Sequence, residues 1–192
     1  MKTIPKVDLR AVFAASFLLL WGSAHAFDGQ GIRIYVEGGR AFRGGETGGT
    51  NSATVGTMIP WTPIESLHTA AMSTYLDLSV TNWHATPVVQ DGHHNYLQIG
   101  VIPSLRYRLA EGTSPWFVES GIGAVVMDHL YRTPEHRFST AFQLTEALGV
   151  GRSFGDRGQH EVSLRVQHFS NAGIKEPNPG ENFYKVRYGY RF

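Results

Sequence analysis

Near the end of this 192-residue chain a histidine and a serine stand two residues apart, in the run His160-Glu161-Val162-Ser163-Leu164-Arg165-Val166-Gln167-His168-Phe169-Ser170. On an extended strand residues i and i+2 share a face with Cβ atoms about 7 Å apart, from two rises of about 3.4 Å, and an imidazole bridges that span to a hydroxyl. A serine hydroxyl is a weak nucleophile until an adjacent base takes its proton, and imidazole is suited to that exchange near neutrality. A carboxylate is then expected to hold the imidazole tautomer. The segment that follows offers two: Glu181, where the chain re-enters the next strand, and Glu176. Asn171, Asn178 and the Gly173 amide are candidate oxyanion donors, because glycine permits close backbone approach and side-chain amides donate hydrogen bonds. The spacing alone is common by chance, and two polar rim residues are the plain alternative.

Parity sharpens the pair. Within the run the even positions Val162, Leu164 and Val166 are apolar, whereas the odd positions Glu161, Ser163, Arg165 and Gln167 are polar. His168 and Ser170 take the even, apolar face. If that face meets lipid, two polar side chains are exposed where unpaired polar groups are costly.

The elements that carry such a pair follow from the same alternation. The last segment places Tyr184, Val186, Tyr188, Tyr190 and Phe192 on one face, and Lys185, Arg187, Gly189 and Arg191 on the other. Period two means strand. The remaining segments are 31 to 42, 53 to 61, 73 to 83, 95 to 109, 115 to 127, 138 to 154 and 160 to 170. In the fourth, Leu97, Ile99, Val101, Leu105, Tyr107 and Leu109 oppose Gln98, Ser104, Arg106 and Arg108. Eight segments of this kind predict an all-β fold: an eight-stranded antiparallel transmembrane β-barrel with an apolar exterior and a polar lumen. Short connections after the fourth and sixth strands, and longer ones after the first, third, fifth and seventh, fit periplasmic turns and outer loops. The stretch from Thr62 to Met72 is long for a periplasmic turn. A soluble β-sandwich or lipocalin-like barrel would alternate as well; the polar face opposite the terminal aromatics favours the membrane barrel.

The N-terminus reads as an export signal: Lys2, Lys6 and Arg10, an apolar run from Ala11 to Trp21, then Ala24-His25-Ala26. The expected organisation is a cleaved signal peptide over 1–26 and a single outer-membrane barrel over 27–192. After Ala26 no stretch approaches the roughly 18 apolar residues of a spanning helix. The chain has no cysteine and a net charge of +1, so neither a disulfide framework nor a nucleic-acid partner is expected.

The run His168-Phe169-Ser170-Asn171-Ala172-Gly173, followed by Pro177-Asn178-Pro179-Gly180-Glu181 and the terminal strand, resembles the signature of the PagL family of lipid A 3-O-deacylases. The resemblance implies an eight-stranded outer-membrane barrel with a Ser-His-Glu triad on its lipid-facing side. Ser170 would be the nucleophile, His168 the base and Glu181 the orienting acid, with Asn178 and the Gly173 region as oxyanion site. It also implies lipid A or lipopolysaccharide as substrate in the outer leaflet, among outer-membrane lipids, with no metal or cofactor. Phe192 resembles the terminal signature that bacterial barrels present to their assembly machinery; a homodimer is left open. An envelope phospholipase or acyltransferase is the competing enzyme, and a structural or adhesive barrel the competing non-enzyme.

Other polar features have plainer readings. His93-His94 with Asp91 are expected in a solvated loop rather than as a metal clip, and His84, His129 and His136 as loop or rim histidines. The Gly44-Gly45-Glu46-Thr47-Gly48-Gly49 run is expected to be a flexible outer loop. Trp61, Trp83 and Trp116 read as interfacial girdle residues.

Overall fold

The computed structural model describes residues 31–43, 46–86, 93–134 and 136–192, with backbone alone for residues 46–48. The expected signal peptide and Asp91 lie outside the described residues. Eight antiparallel strands follow in order: β1 Arg33–Arg43, β2 Glu46–Pro60, β3 Met72–His84, β4 Asn95–Arg108, β5 Trp116–Met127, β6 Phe142–Phe154, β7 His160–Ser170 and β8 Glu181–Arg191. Each pairs with its sequence neighbours, and β1 pairs with β8, so the sheet closes with no free edge.

The polarity of this barrel is inverted relative to a soluble one. Outward positions such as Ile34, Val55, Val101, Leu148, Leu164 and Val186 are exposed. Inward positions carry the charges. Arg106 donates from Nη1 to both Glu161 oxygens at 2.9 and 2.8 Å and from Nη2 to Glu119 at 2.9 Å. Arg187 donates to Glu37 and to Asp77, each at 2.9 Å, and Lys185 donates to Glu37 at 2.9 Å. Buried charges persist only when paired and hydrogen-bonded, so these networks fix the register of the strands that supply them. Between them, a cavity of about 10 Å³ among Arg33, Tyr35, Arg106 and Arg187 has room for about one water. A charged interior behind an apolar wall is a transmembrane barrel.

At the end of the barrel where β7 finishes, polar packing gives way to an aromatic core of Trp83, Tyr96, Tyr131, Phe138, Phe169 and Phe183. Trp83 is fully buried there, its ring meeting Phe169 edge-on at 4.9 Å and 87°. It is not a girdle residue. Asn82 and Val80 take the outward positions of β3, and alternation turns Trp83 inward; Trp61 and Trp116 remain exposed.

Two boundaries also differ from the sequence expectation. The described part of the glycine run, Glu46 to Gly49, is strand and not loop: Glu46 pairs with Arg43 and Thr47 with Phe42, past an irregularity between Arg40 and Phe42. Glycines lack side chains to pack but keep both backbone hydrogen-bonding groups, so the ladder continues, and only residues 44 and 45 separate β1 from β2. At the other boundary β6 begins at Phe142, because residues 138–141 belong to a loop that doubles back, Phe138 N donating to Tyr131 O at 2.9 Å. The long connection after β2 is real and contains a 3-10 turn at Glu65–Leu67.

Candidate active site

β7 carries His168 and Ser170 on its outward face, both half-buried, with Phe169 between them turned inward into the aromatic core. That inward ring anchors the strand end, so the two polar side chains project from a rigid base. Among the described residues Ser170 Oγ and His168 share no direct hydrogen bond. They are neighbours on one face at the i, i+2 spacing.

The imidazole is held from β8. His168 Nδ1 lies 2.8 Å from Asn182 Oδ1, and the two residues are directly opposed in register. The amide oxygen is an acceptor, so the contact assigns the proton to Nδ1 and leaves Nε2 as the basic nitrogen. Gly180 closes over the ring: a Cβ there would sit 2.8 Å from His168 Cε1, and its φ of +66° favours glycine.

Glu181, expected to orient His168, is on the other face of the sheet. In the β7–β8 ladder it opposes Phe169, so its side chain enters the barrel beside Phe169 while Asn182 takes the outward place. Its Oε2 accepts from Tyr131 Oη at 3.0 Å and lies 2.8 Å from His136 Nδ1, whose Nε2 is 3.1 Å from Arg43 Nη1. Since a guanidinium only donates, Nε2 accepts and Nδ1–H donates to Glu181. Burial, and after it the Glu181 carboxylate, push the Tyr131 phenol well above its ordinary range, which keeps it a neutral donor. Glu181 thus ties the 128–141 loop to the start of β8. His136 is correspondingly a buried partner and not a rim histidine.

The loop after Ser170 is organised by two asparagines. Asn171 is buried; its Oδ1 accepts from Gly173 N at 2.9 Å and its Nδ2 donates to Ser139 Oγ at 3.0 Å and Lys175 O at 2.7 Å. Both Asn171 and the Gly173 amide, expected as oxyanion donors, are therefore committed within the loop. Asn178 differs. Its Oδ1 accepts from Asn171 N, one peptide from Ser170, at 3.0 Å, which turns its Nδ2 donor group away from that contact. Glu176, the other candidate acid, is exposed and accepts from Asn178 N at 2.9 Å.

From His168 an apolar groove of about 800 Å³ crosses the outer wall over β4 to β7 and ends at Trp61, Pro63 and Leu67 beneath β2. Pro103, Ile122, Leu148 and Val166 line its length. Among the described residues no cluster of three or more metal-ligating side chains exists; His93 packs on His129 with ring centroids 4.3 Å apart.

Sequence reasoning missed Asn182, although the parity that places Tyr184 and Val186 outward places it there too. It also missed Gly180, whose contact with His168 depends on how the loop returns.

Comparison with known proteins gives a consistent family. The sequence profile described as Lipid A 3-O-deacylase (PagL) matches residues 48–191. The chain is similar to the lipid A deacylase PagL of Bordetella bronchiseptica, 35% identical over 116 residues, which span 60% of this chain and 61% of that protein. Its similarity to the protein of that name from Pseudomonas aeruginosa is 28% over 120 residues, spanning 62% and 65%. These matches cover less than two thirds of each relative's length. Among solved structures, the outer membrane enzyme PagL aligns with a TM-score of 0.65 at 21% identity, over 83% of this chain and 99% of that one. Neisserial surface protein A aligns at 0.52 and 9%, over 84% and 96%.

Proposed function

The chain belongs to the PagL family of lipid A 3-O-deacylases, and from that premise we propose that it is an outer-membrane serine esterase that removes the 3-O-linked acyl chain of lipid A. Ser170 is the nucleophile and His168 the general base. Asn182 takes the orienting place first assigned to Glu181, and Asn178 Nδ2 is the oxyanion donor. The observation that carries this reading is the 2.8 Å contact of His168 Nδ1 with Asn182 on the outward face shared with Ser170, at the head of the apolar groove.

His168 Nε2 accepts the Ser170 proton as Oγ attacks the ester carbonyl, and the negative oxygen of the tetrahedral intermediate meets the Asn178 amide. Collapse breaks the ester C–O bond. The leaving sugar alkoxide takes the proton from His168, and the acyl chain remains on Ser170. A water then gives its proton to His168 and its hydroxide to the acyl carbon, releasing the fatty acid and restoring the serine. The released chain lies in the groove.

Direction along the strands supports a site in the outer leaflet. Ser170 ends β7 at the barrel end that bears three of the four longest connections, 85–94, 128–141 and 171–180, beside the two-residue link 44–45, whereas the shorter turns 109–115 and 155–159 lie at the other end with the long connection 61–71. A groove on the outer wall admits a lipid without extraction from its leaflet.

Mass spectrometry of lipid A from cells producing the wild-type chain or Ser170→Ala tests the proposal. Loss of one ester-linked hydroxyacyl chain with the wild type, and an unmodified lipid A with Ser170→Ala at equal barrel abundance, is expected. Unmodified lipid A with altered phospholipids would assign a different ester.

A further inference from the structure

On the outward wall one side chain breaks the apolar pattern beside the site and has no part in the chemistry above. β6 presents Phe142, Leu144, Glu146, Leu148 and Val150 outward in turn. Glu146 is the sole carboxylate at an outward strand position among the described side chains. Its neighbour on β5 is Ile122, exposed at 70%, and along β6 it lies between Leu144 and Leu148, exposed at 37% and 66%. An ionisable group in such a setting is costly to keep without a partner. On β7 it is directly opposed to His168, and the two line the same groove.

The register therefore sets Glu146, His168 and Asn182 side by side on β6, β7 and β8. Asn182 holds the tautomer but is neutral, so it cannot balance the positive charge His168 acquires when it takes the Ser170 proton. Opposed residues on paired strands have Cβ atoms about 4.5–5.5 Å apart, close enough for a carboxylate to act on an imidazolium through a wall poor in water. The groups facing His168 are Glu146 from β6, Asn182 from β8, Ser170 on its own strand and Gly180 from the loop, which offers no side chain. Glu146 is the one charged group among them.

We propose that Glu146 is a positioning residue that supplies, from β6, the negative charge missing at Asn182, and so stabilises the His168 imidazolium during acyl transfer. It acts through His168 and takes no part in the proton transfers of the cycle. The inference rests on the esterase reading above.

The test is kcat/KM against pH for the full chain in detergent micelles with lipid A, using wild type, Glu146→Gln, Glu146→Asp, Asn182→Asp and the Glu146→Gln/Asn182→Asp pair, with Ser170→Ala as the blank. An opposite charge within ~4–6 Å shifts a titration by about one unit or more, and one unit corresponds to about tenfold. Glu146→Gln should therefore move the acid limb down by about one pH unit and lower the plateau about tenfold. Glu146→Asp should keep the wild-type limb, and the double variant should regain it, because the charge is restored on β8. An unchanged limb and plateau in Glu146→Gln beside an inactive Ser170→Ala overturns this inference alone, as does a change confined to KM, which would mean contact with substrate. Wild-type activity in Ser170→Ala overturns the esterase reading and this inference together.

Discussion

Replacing Asn182 by alanine and, separately, Glu181 by glutamine separates two roles that adjacent residues could exchange. Asn182→Ala removes the 2.8 Å acceptor of His168 Nδ1–H. A neutral hydrogen bond is worth about 0.5–1.5 kcal/mol net, and one to a charged group about 1.5–3 kcal/mol. In the proposed cycle the imidazole takes the Ser170 proton on the way to the intermediate, so the larger figure falls on the barrier, and kcat should drop about 10- to 150-fold. Glu181→Gln weakens the contacts with Tyr131 and His136 at 3.0 and 2.8 Å, on the far face of the sheet. It should cost about 1–3 kcal/mol of stability and leave the rate per folded barrel near wild type. The assay is the initial rate of fatty-acid release from lipid A in micelles, divided by the folded fraction read from heat-modifiable gel mobility. A Glu181→Gln loss per folded barrel as large as that of Asn182→Ala would refute the assignment, as would full activity in Asn182→Ala.

Three further changes probe other parts of the site and its support. Gly180→Ala puts a methyl 2.8 Å from His168 Cε1, where ordinary contact begins near 3.4 Å; displacement of the ring should lower kcat by about 10- to 100-fold, with folding followed by gel mobility. Asn178→Ala should cost about 10²–10³ in kcat if its amide meets the oxyanion, and single-turnover acylation rates will read that loss directly. Arg106→Met leaves Glu161 and Glu119 short of a buried partner and should destabilise by about 3–5 kcal/mol, seen as a lower temperature of gel-mobility conversion, with turnover per folded barrel unaltered.

Strand number and facing were legible because alternation is local: Leu97, Ile99 and Val101 announce their side without knowledge of their neighbours. The same rule assigns Glu181 inward and Asn182 outward. Choosing Glu181 by its acidity and its resemblance to a triad set chemistry above geometry. Trp83 was misread in the same way, its residue type suggesting a girdle while its parity put it in the core. Other features depend on contacts distant in sequence. His136 meets Glu181 across 45 positions, and Glu146 stands opposite His168 only because the 155–159 turn sets that register. The strand character of Glu46 to Gly49 rests on the ladder offered by β1, which a composition rich in glycine conceals.

In the proposed reaction a barrel with ion pairs in its lumen and its reactive row on the outer wall would receive lipid sideways from the plane of the bilayer. Encounter is then a two-dimensional diffusion problem, and the concentration that governs turnover is a mole fraction in the leaflet and not an amount per volume. Diluting lipid A with inert lipid or detergent at constant bulk concentration should slow the reaction, while enlarging the aqueous volume around the same vesicles should leave it unchanged. On that reading the packing of neighbouring lipids would become a rate-determining variable that an aqueous pocket would never sense.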